Sequence, residues 1–375
     1  PFFTQEEFQD LYPHEYDGPA FDWPPYREVR EDDLTVEHIR YMYAALVTYC
    51  DQQLGRVLDV FDKHDLWQDT MLVVNTDHGF LMGEHDWWAK VVTPFFQEVA
   101  HIPFWIYDPR HPDCVGETRD SVVQTIDLAP TILDYFDIPA TRDMQGKSLT
   151  GAMLNDEPVR EAALYGVMGG QVNVTDGQYV YMRGNVTEDN SPLFEYTLMP
   201  THMKSLFSVR ELSSWEKFED FSFTKACPVM QIPSRTPRFL LAQDNPYGKG
   251  RTATLLFDVQ ADPGQTNPLT DAGLEIRMIK LMLHEMARNE CPPEQYVRLG
   301  LPEPLSAEAG DLDGVIELPS EERIEAACVL QTQRGREIAE HGGNGLPKMP
   351  FGDISFPDNL RLRPGYIFSQ TSDKG

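Results

Sequence analysis

A short apolar run that ends in a polar loop constrains the fold of this chain more than any other feature. Residues 71–76 (MLVVNT) form the run, and Asp77-His78-Gly79 follow it directly. Its length and its β-branched residues predict a strand buried on both faces, as in a parallel sheet. Ligands of open α/β sheets bind beyond the carboxyl ends of such strands, so we expect Asp77 and His78 at a binding edge.

The flanking segments predict an alternation of helices and strands. Apolar residues at helical spacing over Glu37–Asp62 predict a long amphipathic helix before the run. A second apolar run, Ile102–Tyr107, predicts another strand of the same kind. Asp127 can cap a helix that begins at Leu128. This alternation predicts an open α/β sheet.

The pattern changes beyond about residue 155. Gly166–Arg183 alternates around Asp176-Gly177, which predicts an antiparallel hairpin, and Leu255–Val259 predicts another strand. Leu274–Ala287 predicts an amphipathic helix. We therefore divide the chain into an α/β domain, a smaller α+β subdomain with an antiparallel sheet, and a peripheral tail: residues 1–155, 156–305 and 306–375.

The charge balance limits the classes of partner. The chain has 375 residues, with 31 Lys and Arg against 60 Asp and Glu, a net charge of −29. This charge argues against nucleic acid and anionic membrane surfaces as partners, and no apolar run approaches the length of a membrane span. A small anionic substrate remains compatible, because a metal or a few cations can invert the field in a cleft. The sequence leaves open whether the protein forms a homo-oligomer.

The spacing of the cysteines indicates the redox state of the cellular compartment in which the protein resides. Five of them are scattered without a CxxC pair: Cys50, Cys114, Cys227, Cys291 and Cys328. An odd number at wide spacing fits reduced thiols better than a disulfide framework, which slightly favours a cytoplasmic location.

The loop after the first run carries the candidate chemistry. A carboxylate beside an imidazole, Asp77 and His78, suits a divalent cation, and Lys90 could reach an anionic group bound to that cation. The alternative is a polar loop without chemistry, in which Asp77 caps a turn and Lys90 is solvated. Trp87 and Trp88 either wall a pocket or anchor the loop by packing.

The segment Thr76–Lys90 resembles the motif of the sulfatase branch of the alkaline-phosphatase superfamily, in which a strand ends in DHG or DNG and continues through GEH to W-x-K. Other segments agree with the family in the same order: Tyr43–Asp62, His101–Pro109, Ile126–Thr131, Gly146–Leu149, Leu256–Asp258 and Asp262–Gly264. His101 departs from the usual Arg. The resemblance covers roughly residues 1–300 and implies an alkaline-phosphatase-like mixed, mostly parallel sheet flanked by helices.

The resemblance also implies a mechanism. By motif position, Asp77 and His78 match two ligands of a divalent cation, with Ca²⁺ favoured over Mn²⁺ or Mg²⁺. Lys90 matches the catalytic lysine that contacts the oxygens of the transferred group. His85 falls on a recurrent position that we predict to bind substrate. A nucleophile, formylglycine in sulfatases, attacks the sulfur.

The family motif that holds the nucleophile precedes DHG by far more than the 76 residues present here, so we expect it on a segment upstream of this chain. The resemblance thus predicts a sulfuric ester hydrolase that acts on a small-molecule sulfate ester. His78 in place of Asn is a feature that resembles the phosphonate monoester and phosphodiester hydrolases of the group. The choice between a sulfate ester and a phosphonate or phosphodiester substrate therefore stays open. A non-catalytic binding protein derived from the enzyme is a further alternative.

Overall fold

A computed structural model describes Phe2 and residues 4–91, 94–187, 189–199, 201–202, 205–219, 221–234, 252–304 and 316–332. The described residues fall into two compact units that divide between Arg160 and Glu161. None of the helices in these ranges is both long enough and apolar enough to cross a membrane.

The first unit combines a long helix with two small antiparallel sheets. Its helices are α1 (Glu6–Gln9), α2 (Asp33–His64), α3 (Gln97–Ala100), α4 (Leu128–Tyr135) and α5 (Thr150–Asn155), and its strands are β1 (Leu72–Asn75), β2 (Leu81–Met82), β3 (Trp88–Ala89) and β4 (Phe104–Tyr107). Strand β2 pairs with β3, and β1 pairs with β4. Helices and strands are interspersed along the unit in a mixed α/β arrangement, which agrees with the predicted α/β class.

Helix α2 confirms the predicted amphipathic helix and extends it at both ends. Asp32 caps it by accepting a hydrogen bond from the Thr35 N–H (2.9 Å), and Asp65 ends it in the left-handed conformation with φ 55°. The predicted apolar face supplies buried core residues: Ile39, Met42, Leu58 and Phe61.

The predicted direction of the two apolar runs is wrong. Strand β1 pairs with β4 antiparallel, with Leu72 opposite Tyr107 and Asn75 opposite Phe104. Most of their residues are half-buried rather than buried on both faces. An apolar run does not encode strand direction, and the intervening chain, with a hairpin and α3, returns so that β4 runs opposite to β1.

Asp127 stands at the position before α4 but does not cap it. Its carboxylate is fully buried and accepts hydrogen bonds from the Gln124 and Lys147 N–H groups (2.8 and 2.9 Å). It also binds the Arg160 guanidinium at 2.5 and 2.6 Å. The predicted cap is therefore an anchor for distant chain segments.

The second unit is built on a four-stranded antiparallel sheet in the order β11-β7-β6-β5 and a three-stranded sheet in the order β8-β10-β9. Its strands are β5 (Ala163–Gly166), β6 (Val172–Thr175), β7 (Tyr179–Arg183), β8 (Phe194–Thr197), β9 (Glu216–Phe218), β10 (Val229–Pro233) and β11 (Leu255–Asp258). Its helices are α6 (Val209–Ser213), α7 (Ala272–Arg288), α8 (Pro293–Leu299) and α9 (Glu321–Glu325).

The predicted hairpin, strand and helix of this unit are confirmed. Strands β6 and β7 pair with Thr175 opposite Val180, and Gly177 takes φ 93° in the turn between them. Helix α7 packs its apolar face into the core of the unit.

Part of the predicted peripheral tail lies in that core instead. Leu330 and Ile324 are almost fully buried against α7 residues such as Met282. Pro, Gly and acidic residues in the tail predicted exposure, whereas these few apolar side chains have their partners about forty residues earlier. Residues 305–315 and 333–375 of the predicted tail lie outside the described residues.

Candidate active site

Three polar side chains meet at the end of β1. Asp77 and His78 follow the strand, and the Asp77 Oδ2 atom lies 3.3 Å from the His78 Nε2 atom. Lys90, twelve residues further on, donates a hydrogen bond from its Nζ atom to the same His78 Nε2. The structure thus brings together a carboxylate, an imidazole and an ammonium group that the sequence placed in one loop.

The backbone at Gly79 fixes how the loop leaves the strand. Its N–H donates to the Val99 carbonyl (2.9 Å), and the Phe80 N–H donates to the Glu98 carbonyl (3.1 Å). A Cβ atom at Gly79 would stand 1.8 Å from the Glu98 carbonyl oxygen. Glycine is therefore required for close backbone approach rather than for a sharp turn.

The site is open to solvent and favours an ionised carboxylate. The Asp77 side chain is 82% exposed. Desolvation is the largest single cause and acts to raise the pKa, but His78, the nearby backbone N–H groups and Lys90 together outweigh it, so the pKa of Asp77 lies below its ordinary value. Asp77 therefore carries a negative charge at neutral pH.

The contacts of His78 fix its tautomer. Its Nδ1 atom lies 3.0 Å from the Gly79 carbonyl oxygen, which accepts the Nδ1–H and leaves the lone pair on Nε2. Imidazole Nε2 and carboxylate oxygens are suitable donors for a divalent cation, so the donor types fit. Two donors do not complete a coordination shell, and among the described residues no group of three or more His, Cys, Asp or Glu side chains could hold a metal ion.

His85 does not join this group. Its side chain is 4% exposed and stacks on the Phe96 ring, with ring centroids 3.6 Å apart. Its Nε2 atom lies 3.4 Å from Glu98 Oε2, but neither buried atom has a hydrogen-bond partner. Binding of substrate by His85 stays a prediction.

A buried ion pair that the sequence did not reveal holds the same loop. Arg40 donates from Nη2 to Glu84 Oε1 (3.1 Å) and from Nε to the Met82 carbonyl (2.8 Å). Burial raises the pKa of Glu84, and Arg40 opposes that shift. The signal available in the sequence was a charged residue beside Ile39 on the apolar face of α2.

The backbone near Lys90 is strained. Ala89 and Val91 both take positive φ, 74° and 72°, and so do His85 and Asp86 in the same loop. A β-branched residue at positive φ is a rare and costly conformation, which concentrates at functional sites. The two residues that flank Lys90 thus fix the direction in which its side chain leaves the loop.

The two tryptophans of the loop differ in burial. Trp88 is fully buried, and its Nε1–H donates to Glu31 Oε2 (2.8 Å). It therefore anchors the loop and cannot wall a pocket. Trp87 is half-buried and forms an isolated bridge with Glu28.

Two family models match the chain. A model described as sulfatase matches residues 4–138, and one described as N-sulphoglucosamine sulphohydrolase, C-terminal, matches residues 83–211. The site residues Asp77, His78 and Lys90 all lie within the first match.

Three relatives show how far the likeness extends. An N-acetylglucosamine-6-O-sulfatase of Bacteroides thetaiotaomicron is 32% identical over 152 residues, which cover 37% of this chain and 26% of that protein. An ulvan-active sulfatase of Formosa agariphila is 26% identical over 239 residues, 60% and 45% of the two chains. The multifunctional alkaline phosphatase superfamily protein PehA of Trinickia caryophylli is 29% identical over 127 residues, 34% and 24%. The chain therefore spans less than half the length of each.

The helix, the strand and the loop that bears these polar groups lie within residues 4–138, the part of the chain that matches the sulfatase model. The family models and the relatives show that residues 4–211 of the chain resemble sulfatases.

Proposed function

We propose that the protein hydrolyses sulfuric esters. The observation that carries this proposal is the meeting of Asp77, His78 and Lys90 at the end of β1, inside the residues that the sulfatase model matches. Asp77 and His78 would hold a divalent cation, with Ca²⁺ favoured over Mn²⁺ or Mg²⁺. The names of two relatives, which specify N-acetylglucosamine and ulvan, support a sulfated sugar as the substrate.

Each residue has a distinct task. Asp77 supplies a carboxylate that is ionised at neutral pH, since its pKa lies below its ordinary value. His78 would offer a cation the Nε2 lone pair that accepts from Lys90 in this structure, because the Gly79 carbonyl holds its other nitrogen. Lys90 directs an ammonium group to the same point, where it stabilises the negative charge that grows on the sulfuryl oxygens in the transition state. A bound cation supplies Lewis-acid polarisation of the ester oxygen. A formylglycine nucleophile is part of this proposal.

The test compares kcat/KM for 4-nitrophenyl sulfate in the native protein that carries this chain and in its Lys90→Ala variant. We expect the variant to lose about 100- to 1,000-fold in kcat/KM, since one preorganised cationic group is removed from the transition state. Lys63→Ala, an exposed lysine on α2, is the matched control and should keep full activity.

Equal turnover by Lys90→Ala and the unaltered protein would contradict the role of Lys90. An unaltered protein that binds the ester without turning it over would support the non-catalytic alternative.

A phosphonate monoester or phosphodiester hydrolase is the second candidate, favoured by His78 at the second ligand position and by the likeness to PehA. The ratio of kcat/KM for phenylphosphonate monoester to that for 4-nitrophenyl sulfate separates the two. A ratio well above one would replace the sulfatase proposal with this one.

A further inference from the structure

A short segment of the first unit, residues 13–20, lies on helix α2, and we call this segment the strap. Pro13, Glu15 and residues 17–20 are exposed, whereas His14 and Tyr16 are half-buried. Burial therefore alternates along the first half of the strap, which indicates that His14 and Tyr16 share the face turned toward α2.

Stacked rings attach the strap to the helix. The Tyr16 ring stacks on the His38 ring, with centroids 3.9 Å apart and an interplanar angle of 6°. The His14 ring stacks on the Tyr41 ring at 4.7 Å and 19°. His38 and Tyr41 are three residues apart on α2 and are thus neighbours on one face of the helix. Four rings from the strap and the helix consequently form one cluster.

The two histidines of this cluster share a hydrogen bond that depends on their protonation. The His14 Nδ1 atom lies 2.8 Å from the Tyr12 carbonyl oxygen, which can only accept, so this nitrogen carries a proton. In the neutral ring His14 Nε2 then has a lone pair, and it accepts from His38 Nδ1 at 2.7 Å. One added proton leaves this bond intact, because it binds at the other nitrogen of His38. A second added proton places N–H groups on both facing nitrogens and breaks the bond.

The titratable groups around the pair do not relieve this conflict. The Tyr16 and Tyr41 hydroxyls are neutral in the range in which histidine titrates. Glu37, the neighbour of His38 on α2, binds the Tyr41 hydroxyl, and Glu15 on the strap is exposed. The two facing imidazole nitrogens contact each other instead of a carboxylate. Two positive charges on the pair would therefore repel at hydrogen-bond distance.

We infer that His14 and His38 form a pH-sensitive latch, which holds the strap on α2 at neutral pH and releases it in mildly acidic solution. This inference does not depend on the proposed function. The strap is attached while the pair carries at most one added proton, and it detaches when the pair takes up the second. Protonation of histidines that changes a local packing contact is a general way to sense acidity.

The sign of the pH dependence follows from the environment of His38. Burial of its ring and the positive charge that His14 can carry lower the pKa of His38 below its ordinary value of 6.5. In a detached strap His38 returns toward that ordinary value, so the detached form binds protons more readily than the attached form. Attachment is therefore fully present above pH 6.5 and is lost as the pH falls below that value.

The chain on both sides of the strap stays fixed. Before it, Tyr12 is buried and its hydroxyl group shares a hydrogen bond with the Thr48 hydroxyl group (2.6 Å). After it, the Asp22 carbonyl accepts from the Phe2 N–H (2.6 Å). Release is thus confined to the residues between Tyr12 and Asp22.

The experiment digests the native protein that carries this chain with papain, a protease that is active in both neutral and mildly acidic solution. Cleavage within the strap is identified by mass spectrometry, and its rate is divided at each pH by that of a free peptide of the same sequence. We expect this ratio to rise about five- to tenfold between about pH 7.5 and about pH 5, because cleavage follows the population of released strap.

Three variants make the result specific. His14→Phe and His38→Phe each keep a ring for stacking but cannot form the proton-dependent bond, so their ratio should change less than about twofold over the same range. His64→Phe removes an exposed histidine at the end of the same helix and should keep the full rise. Circular dichroism at neutral pH shows whether each variant is folded.

The outcomes decide the inference in either direction. A rise in the unaltered protein and in His64→Phe, together with a flat ratio in a folded His14→Phe or His38→Phe variant, supports the latch. A flat ratio in the unaltered protein overturns it, and so does a full rise in both His14→Phe and His38→Phe. Absence of cleavage within the strap at both pH values also overturns it.

Discussion

At the scale of single residues, space at the backbone decides which side chain a position accepts. Gly79 has no positive φ, yet the Glu98 carbonyl group occupies the place where a Cβ atom would stand. The two short chain segments consequently approach each other behind His78, and this approach sets the position of the imidazole at the end of β1. The glycine of the DHG sequence thus acts through His78 rather than on a substrate.

Gly79→Ala should destabilise the protein by about 1–3 kcal/mol or more, because the added methyl group forces the backbone of Glu98 to move. The same shift displaces His78, so kcat/KM for a sulfate ester should fall further than the loss of folded protein explains. Chemical denaturation and steady-state kinetics measure the two effects. Gly264→Ala is the control, since its Cβ would meet one methyl group at 3.8 Å; equal stability of the two variants would refute the argument.

At the scale of elements, a buried ion pair joins α2 to the site loop. Arg40 is 2% exposed and Glu84 6% exposed, and the Met82 N–H also donates to the Glu84 carboxylate. Such a pair adds little net stability compared with apolar packing, but removal of one partner leaves a charge buried without compensation. The loop that carries Lys90 is thereby fixed to a helix of 32 residues.

Glu84→Ala should therefore lower the free energy of unfolding by about 3–5 kcal/mol, measured by chemical denaturation. Glu117→Ala removes an exposed partner of Arg119 in the same unit and should cost at most about 1 kcal/mol. A loss at Glu84 as small as that at Glu117 would mean that Arg40 reaches solvent in the folded protein.

These elements also show what the sequence could predict and what it could not. The face of α2 was predictable because its spacing repeats within one segment, and the DHG loop was predictable because its polar residues are neighbours in sequence. The antiparallel partner of β1 lies some thirty residues away. Arg160 binds the Asp127 carboxylate, which therefore does not cap α4, and it lies 33 residues from Asp127 in the sequence. Local patterns carry no information on such distant partners.

At the scale of the whole molecule, one carboxylate joins distant parts of the second unit. Glu275 is fully buried on α7 and accepts hydrogen bonds from the Tyr181 hydroxyl (3.0 Å) on β7. It also accepts from the N–H groups of Val329 (3.0 Å) and Leu330 (3.2 Å). Arg183 approaches it at 3.9 Å and donates to the Ala327 carbonyl (3.0 Å). Strand β7, helix α7 and residues 327–330 thus share one polar centre.

Glu275→Ala should destabilise the second unit by about 3–5 kcal/mol, because it leaves the buried Arg183 without its counter-charge and the Val329 and Leu330 N–H groups without their acceptor. Limited proteolysis should then cleave residues 316–332 early, whereas the unaltered protein resists at these sites. Glu322→Ala, an exposed residue of α9, should leave both properties unchanged. Cleavage at the same rate in both variants would show that Glu275 does not hold the segment.

The Glu275 centre also sets an order of events during synthesis of the chain. The carboxylate leaves the ribosome 54 residues before the Val329 N–H that satisfies it. At ordinary rates of translation, that interval lasts about 3–11 s. The second unit can assemble its sheet and α7 in that time, with Arg183 and Tyr181 beside Glu275, but the carboxylate lacks two of its N–H donors until Val329 and Leu330 emerge. Completion of this polar centre is therefore tied to the translation of Val329 and Leu330.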